Sequence, residues 1–171
     1  SKRDLEVPYQ SFSFGSPGPT LETADWDENI LRVYANWAPL SWLSLSAEYQ
    51  YEKFERDENF VGSDQYKELK THRVPIQIGI FHKLGLSGKV KATYVNQEGE
   101  FGIPAISVSE DSDQFWVVDA GITYRLPKRY GLLSLEVQNL FDENFNFQDT
   151  DPANPSIYPE RAIFGRITIS F

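Results

Sequence analysis

Hydrophobic and polar positions alternate with period two along most of this chain. The segment after Trp42 is the clearest: Leu43, Leu45, Ala47, Tyr49 and Tyr51 fall on one face, and Ser44, Ser46, Glu48, Gln50 and Glu52 on the other. Val74, Ile76, Ile78 and Ile80 repeat the pattern, as do Trp116, Val118, Ala120, Ile122 and Tyr124. At the C-terminus Ile163, Gly165, Ile167, Ile169 and Phe171 share a face, while Arg166, Thr168 and Ser170 point the other way. Period two sustained over this length predicts strands. Eight are expected, at approximately 2–9, 29–37, 42–53, 73–82, 88–95, 115–125, 131–141 and 161–171.

The connections alternate in length. Short ones fall at 38–41, 83–87 and 126–130, and long ones at about 11–28, 54–70, 96–114 and 142–160. Short turns at one rim and long loops at the other is the arrangement of an outer-membrane barrel, whose strands present one face to lipid and the other to a polar lumen. Strands of about 9–11 residues suit a tilted bilayer crossing. The fold class is therefore all-β: an antiparallel up-and-down transmembrane β-barrel of about eight strands in one domain spanning the chain. It is either a complete small barrel or, as favoured here, the C-terminal part of a larger one.

Register adds candidate pairs. A first tight turn centred on Leu40 sets Trp37 against Leu43, Ala35 against Leu45 and Val33 against Ala47, with Arg32 facing Glu48 on the polar side. Further along, the spacing brings Lys91 opposite Asp119 and Glu136 opposite Arg166. Opposite charges on one face are what a polar lumen predicts. Arg32, Glu48, Lys91, Asp119, Glu136 and Arg166 are thus the expected lumen-lining groups. Aromatic residues near strand ends, Trp37, Trp42, Trp116, Tyr124 and Tyr130, are expected at the membrane interfaces, where amphipathic rings settle.

The final segments carry a likeness to a known family. Asn139-Leu-Phe-Asp-Glu-Asn144, then Pro159-Glu-Arg161 and a strand ending on Phe171, resemble the C-terminal strand pair of TonB-dependent outer-membrane receptors. Similar barrel modules end some tetratricopeptide-repeat outer-membrane proteins. The resemblance implies a barrel wall, uptake of a scarce nutrient such as a metal chelate, and a periplasmic C-terminus. It implies Ile167, Ile169 and Phe171 as a signal read by the barrel-assembly machinery, and an energising inner-membrane partner acting through a plug. No plug is recognised in these residues, so transport by this chain alone is not expected. An anchor or scaffold for a fused domain is the alternative, with a soluble ligand-binding barrel behind it.

Composition narrows the field. There are 12 Phe, 9 Tyr and 4 Trp in 171 residues, yet mean hydropathy is negative, which suits alternating strands better than a helical core. No apolar run is long enough for a membrane helix. Cysteine is absent, so disulfides and thiolate metal sites are ruled out. Methionine is absent too, and a chain opening on Ser1 is read as processed or excised. The net charge of −9 argues against nucleic acid.

Most acidic residues fall in the long loops, which contain only Arg56, Lys67 and Lys70 as bases. Such loops, placed outside the cell, suit divalent-cation bridging to lipopolysaccharide. Asp142, Asp149 and Asp151 offer hard oxygen ligands within one loop, although their spacing is not that of an EF-hand. Hydrophilic loops with Asx-turns are the plainer explanation. His72 and His82 flank one strand too far apart to share a metal, and no nucleophile, base and carboxylate fall at matching heights. No catalytic residue, resident metal or cofactor is expected.

Overall fold

In the computed structural model, residues 2–11, 20–56, 66–103, 107–147, 157–158 and 160–169 are described. Eight strands form: β1 (Lys2–Ser11), β2 (Thr20–Leu40), β3 (Leu43–Arg56), β4 (Tyr66–Phe81), β5 (Leu86–Ile103), β6 (Ser107–Arg125), β7 (Gly131–Gln138) and β8 (Ala162–Ile169). They follow one another in sheet order β1-β2-β3-β4-β5-β6-β7-β8, an antiparallel up-and-down arrangement. β1 and β8 end that order, and no pairing joins them among the described residues, so a closed barrel is not shown. Nearly every residue of β8 is exposed, as befits an end strand.

Several strands outrun their expected limits. β2 begins at Thr20, β5 continues to Ile103 and β6 starts at Ser107, so hairpin ladders fill much of what the alternation of apolar residues left as loops. The cause is physical. A ladder needs only paired backbone groups, and it persists where both faces are polar and the hydrophobic signal has faded. The β2–β3 reversal is carried by Ser41 and Trp42, not centred on Leu40, because β2 runs on through Pro39 to Leu40.

Two short turns rest on glycine. Gly85 has φ +85, and a Cβ there would approach Arg125 O to 2.9 Å. Gly131, at φ +150, would place a Cβ 1.9 Å from Thr168 O, so only glycine lets β7 begin so close to β8. Between β6 and β7 a 3-10 turn, Pro127–Arg129, completes the reversal, with Lys128 at φ 54.

Two compact units arise: Ser1–Arg32, Gln50–His72 and Gln97–Ser112 form one, and Val33–Tyr49, Arg73–Asn96 and Asp113–Phe171 the other. The second holds a small core of Val95, Phe115, Val117 and Ile157, with Phe145 and Phe147 packed against it. In the first, Leu69 and Phe54 are buried, and Gln97 Nε2 donates to Thr71 Oγ1 at 2.8 Å. No described helix is long and apolar enough to cross a membrane.

Candidate functional site

The second unit presents two unlike faces, and register assigns residues to them. Gly121 opposes Glu136, Thr123 opposes Ser134, Ser134 opposes Arg166 and Glu136 opposes Phe164. Directly opposed residues share a face. On this polar face Lys91 Nζ lies 2.7 Å from Asp119 Oδ2, and Lys89 Nζ donates to Glu136 Oε1 at 2.6 Å. Thr123 Oγ1 donates to Ser134 Oγ at 3.2 Å, and Ser87 Oγ donates to Thr123 O at 3.4 Å. Lys91 and Asp119 therefore meet. Glu136 and Arg166 are not opposite each other: the β7–β8 ladder is displaced by two residues from the expected register, and Glu136 is taken instead by Lys89.

The lysine reaches Glu136 because nothing stands between. Lys89 and Glu136 flank Gly121, and a Cβ on Gly121 would come 2.8 Å from Lys89 Cε and 3.3 Å from Glu136 Cγ. Spacing alone could not reveal this pair, since it joins strands that are not neighbours. Arg32 and Glu48 belong to different units, Arg32 exposed and Glu48 half-buried.

The alternate residues make the opposite face, and it is aliphatic. Ile76, Ile78 and Ile80 on β4, Val90 on β5, Ile122 on β6, Leu133 and Leu135 on β7, and Ile163, Ile167 and Ile169 on β8 are all exposed, Ile167 at 71 %. Gly88, Ala92, Val118, Ala120, Val137 and Gly165 fill the remaining positions, so this area of the face carries no charge. Rings bound it. Tyr94 and Trp116 lie with centroids 5.2 Å apart near one limit, and Tyr124 and Tyr130 stand beside the short turn at the other. Trp37 and Trp42, both exposed, stand beside the Ser41–Trp42 reversal.

In the first unit the alternation changes character. Along β3 the same phase continues as Tyr51, Lys53 and Glu55; along β4 it continues as His72, Lys70 and Glu68. These residues belong to the first unit. There Tyr51 and His72 have ring centroids 4.8 Å apart, Lys53 Nζ is 2.5 Å from Glu55 Oε1, and Glu68 is paired with both Lys70 and Lys53. The Lys70 hydrogen bond is the main influence holding the Glu68 carboxyl below its ordinary pKa, against the opposing effect of desolvation. Lys53 and Lys70 are pushed up, first by their hydrogen bonds to Glu55 and Glu68 respectively. Glu68, Lys70, Glu98 and Glu110 also line a polar cleft of about 460 Å³.

Asn139-Leu-Phe-Asp142 forms a tightly tied turn in the second unit. Asn139 is 1 % exposed and holds φ +48. Its amide donates to Glu143 O at 2.9 Å and its carbonyl accepts from Glu143 N at 2.8 Å, an arrangement resembling a backbone pair. Its own N–H donates to Asp119 Oδ1 at 3.0 Å, so the Lys91 partner also anchors the turn. Leu140 N donates to Val118 O, one residue out of the β6–β7 register, as a β-bulge does.

Asp142, one of the three possible cation ligands of its loop, accepts from Arg161 N at 2.9 Å and lies 3.6 Å from its guanidinium. Asp149, Asp151 and the Phe171 terminus lie outside the described residues. No group of three or more acidic or histidine side chains suited to a metal occurs among the described residues.

After this turn the chain enters the small core. Phe145 stacks on Phe115 with centroids 4.1 Å apart and planes 4° from parallel, while Phe147 meets the same ring edge-on at 6.1 Å. Asn146 N donates to Asp113 Oδ2 at 2.7 Å between them. Phe115 and Val117 have the phase of Asp119 and Gly121, so this cluster lies on the polar face. The segment 142–160, expected as a hydrophilic loop, therefore contributes to a core, and the alternation of Phe145 and Phe147 is the sequence signal for it.

Compared with known proteins, the chain matches no family model, no curated protein and no solved structure.

Proposed function

We propose that this chain forms part of the wall of an outer-membrane β-barrel, in a receptor of the TonB-dependent kind that takes up a scarce nutrient such as a metal chelate. The observation that carries the reading is the pairing of an uncharged, ring-bounded aliphatic face with an opposite face bearing two ion pairs. Water disfavours that much contiguous exposed apolar surface, whereas lipid accepts it and leaves the charges to a polar interior. In this arrangement the short turns lie at the periplasmic rim and the acidic hairpin ends face outward, near lipopolysaccharide. Ile167, Ile169 and Phe171 then serve the assembly machinery, and an inner-membrane partner supplies energy through a plug.

A second reading is favoured by the cluster of Phe115, Phe145, Phe147 and Ile157. Apolar side chains occupying the polar face obstruct a water-filled path, which suits a wall that anchors or scaffolds a fused domain.

Folding into lipid tests both against a soluble barrel. The refolded chain is expected to require detergent and to gain protease protection in phosphatidylcholine vesicles. Ile78→Lys should weaken the vesicle-folded state by about 2–4 kcal/mol, the cost of a lysine near the bilayer midplane, while Thr123→Lys on the other face should cost far less. A monodisperse chain in detergent-free buffer, indifferent to Ile78→Lys, would remove the membrane reading. If insertion holds, a vesicle solute-leak assay separates transport from anchoring.

A further inference from the structure

A groove of about 630 Å³ crosses the aliphatic face over β4 to β7. Ile78, Ile80, Ile122 and Leu135 stand along it, while Gly88 and Ala120 keep its floor low. The register explains the shape. Ile122 faces Leu135 and Ala120 faces Val137, so the small residues Gly88 and Ala120 lie low among Ile78, Ile80, Val90, Ile122 and Leu135. A Cβ built on Gly88 meets nothing closer than Gly121 O at 3.9 Å, so the floor is unfilled space and not a tight backbone approach.

The groove is bordered at the short-turn end by two reversals. The β4–β5 turn carries Lys83 and the β6–β7 turn carries Lys128, both exposed. Leu84, 77 % exposed, and Tyr130 accompany them. Arg125 N donates to Gly85 O at 2.8 Å, which sets the Lys83 and Lys128 turns side by side at the end of the sheet that Ile80 and Ile122 approach. An apolar trough running toward two cations has the form of a lipid: a long hydrocarbon below a phosphate. Cations beside a membrane surface attract anionic headgroups, and rings and leucines settle at headgroup depth.

Building on the membrane reading above, we infer that the groove binds one acyl chain of an anionic glycerophospholipid, with its phosphate between Lys83 and Lys128. The lipid completes the wall where Gly88 and Ala120 leave it thin, and its charge sets the height of the short turns in the leaflet. A second copy of the chain fits less well, because the lysines of two copies would face each other at the same rim.

Native mass spectrometry of the full chain, released from detergent with dioleoylphosphatidylglycerol or dioleoylphosphatidylcholine, tests this. Glycerophosphate serves as the headgroup without its chains. The chain is expected to retain phosphatidylglycerol over phosphatidylcholine and not to retain glycerophosphate. Gly88→Leu, which fills the trough, should abolish retention of both lipids. Lys83→Gln and Lys128→Gln should each reduce the phosphatidylglycerol preference about fivefold and leave phosphatidylcholine unchanged.

Ala120→Leu provides an independent filling should Gly88→Leu fail to fold. Equal retention by folded filled variants overturns the inference, as does a change of oligomeric state without loss of lipid. A chain that does not insert into bilayers overturns the membrane reading itself; insertion with indifferent variants overturns the groove alone.

Discussion

Lys89 on β5 and Glu136 on β7 form an ion pair at 2.6 Å across the intervening strand, over Gly121. Their side chains lie in the space that any larger residue at 121 would occupy. The glycine is thus the condition for the pair, and the polar face is organised by an absence of side chain as much as by charge.

Gly121→Ala is therefore expected to displace Lys89 and break the pair. Both partners are partly exposed, so solvent screening holds the loss to about 1 kcal/mol or less. Denaturant unfolding should show non-additivity: Glu136→Gln costs measurable stability in the parent and almost none in the Gly121→Ala background. Additive losses would refute the arrangement.

Asn139 should be among the least replaceable residues outside the aliphatic face. Asn139→Ala removes both side-chain bonds to Glu143 and leaves an alanine at φ +48, and a loss of about 2–4 kcal/mol is expected. Asn139→Gly relieves the backbone strain without restoring the bonds, so it should be milder by about 1 kcal/mol. Equilibrium unfolding of the two variants checks the order.

Phe145 and Phe115 should be energetically coupled. A double-mutant cycle to alanine is expected to give a coupling of about 0.5–1.5 kcal/mol, in line with a stacked ring pair. Hydrogen exchange at Asn146 N, bonded to Asp113, should accelerate in Phe145→Ala if the stack holds that segment down.

Acid should loosen the β3–β4 hairpin. The Glu68 carboxyl has its pKa lowered from the ordinary 4.5, principally by Lys70. Its stabilising contribution is therefore present above about that pH and is lost as pH falls through the lower folded value. Thermal melts of the parent should drop between pH 7 and pH 3 by more than those of Glu68→Gln, which lacks the titrating group. Identical pH profiles would show that Glu68 contributes nothing in this range.

Much of the fold was legible in the chain. A strand forms at each expected place, because period two marks any strand with unlike faces, although β7 stops at Gln138 where 131–141 was expected and the end of the last strand lies outside the described residues; the phase of Ile76, Ile78 and Ile80 already named the aliphatic face. Strand limits were less legible, since polar hairpin ends keep their ladder after the apolar signal stops. Barrel closure was expected from the even count and turn pattern, but it depends on an edge-to-edge pairing that no local pattern encodes. At the candidate site, Lys91 and Asp119 were matched by a register taken across the expected long connection 96–114, and it held because β5 runs to Ile103 and β6 starts at Ser107, which pins the ladder. Glu136 was not, because the long connection between β7 and β8 leaves the register free to slip by two without changing which face any side chain takes.

The sequence by itself determined the two-faced strands, their number and order, and the ring residues that border the aliphatic rows. All of these follow from local alternation and turn chemistry. Tertiary structure decided which charges meet, that Asn139 ties its own turn to Asp119, and that Phe145 and Phe147 enter a core on the polar face. Those outcomes depend on hydrogen-bond register and on the free volume over a glycine. Both arise only when residues distant in the chain come to share a surface.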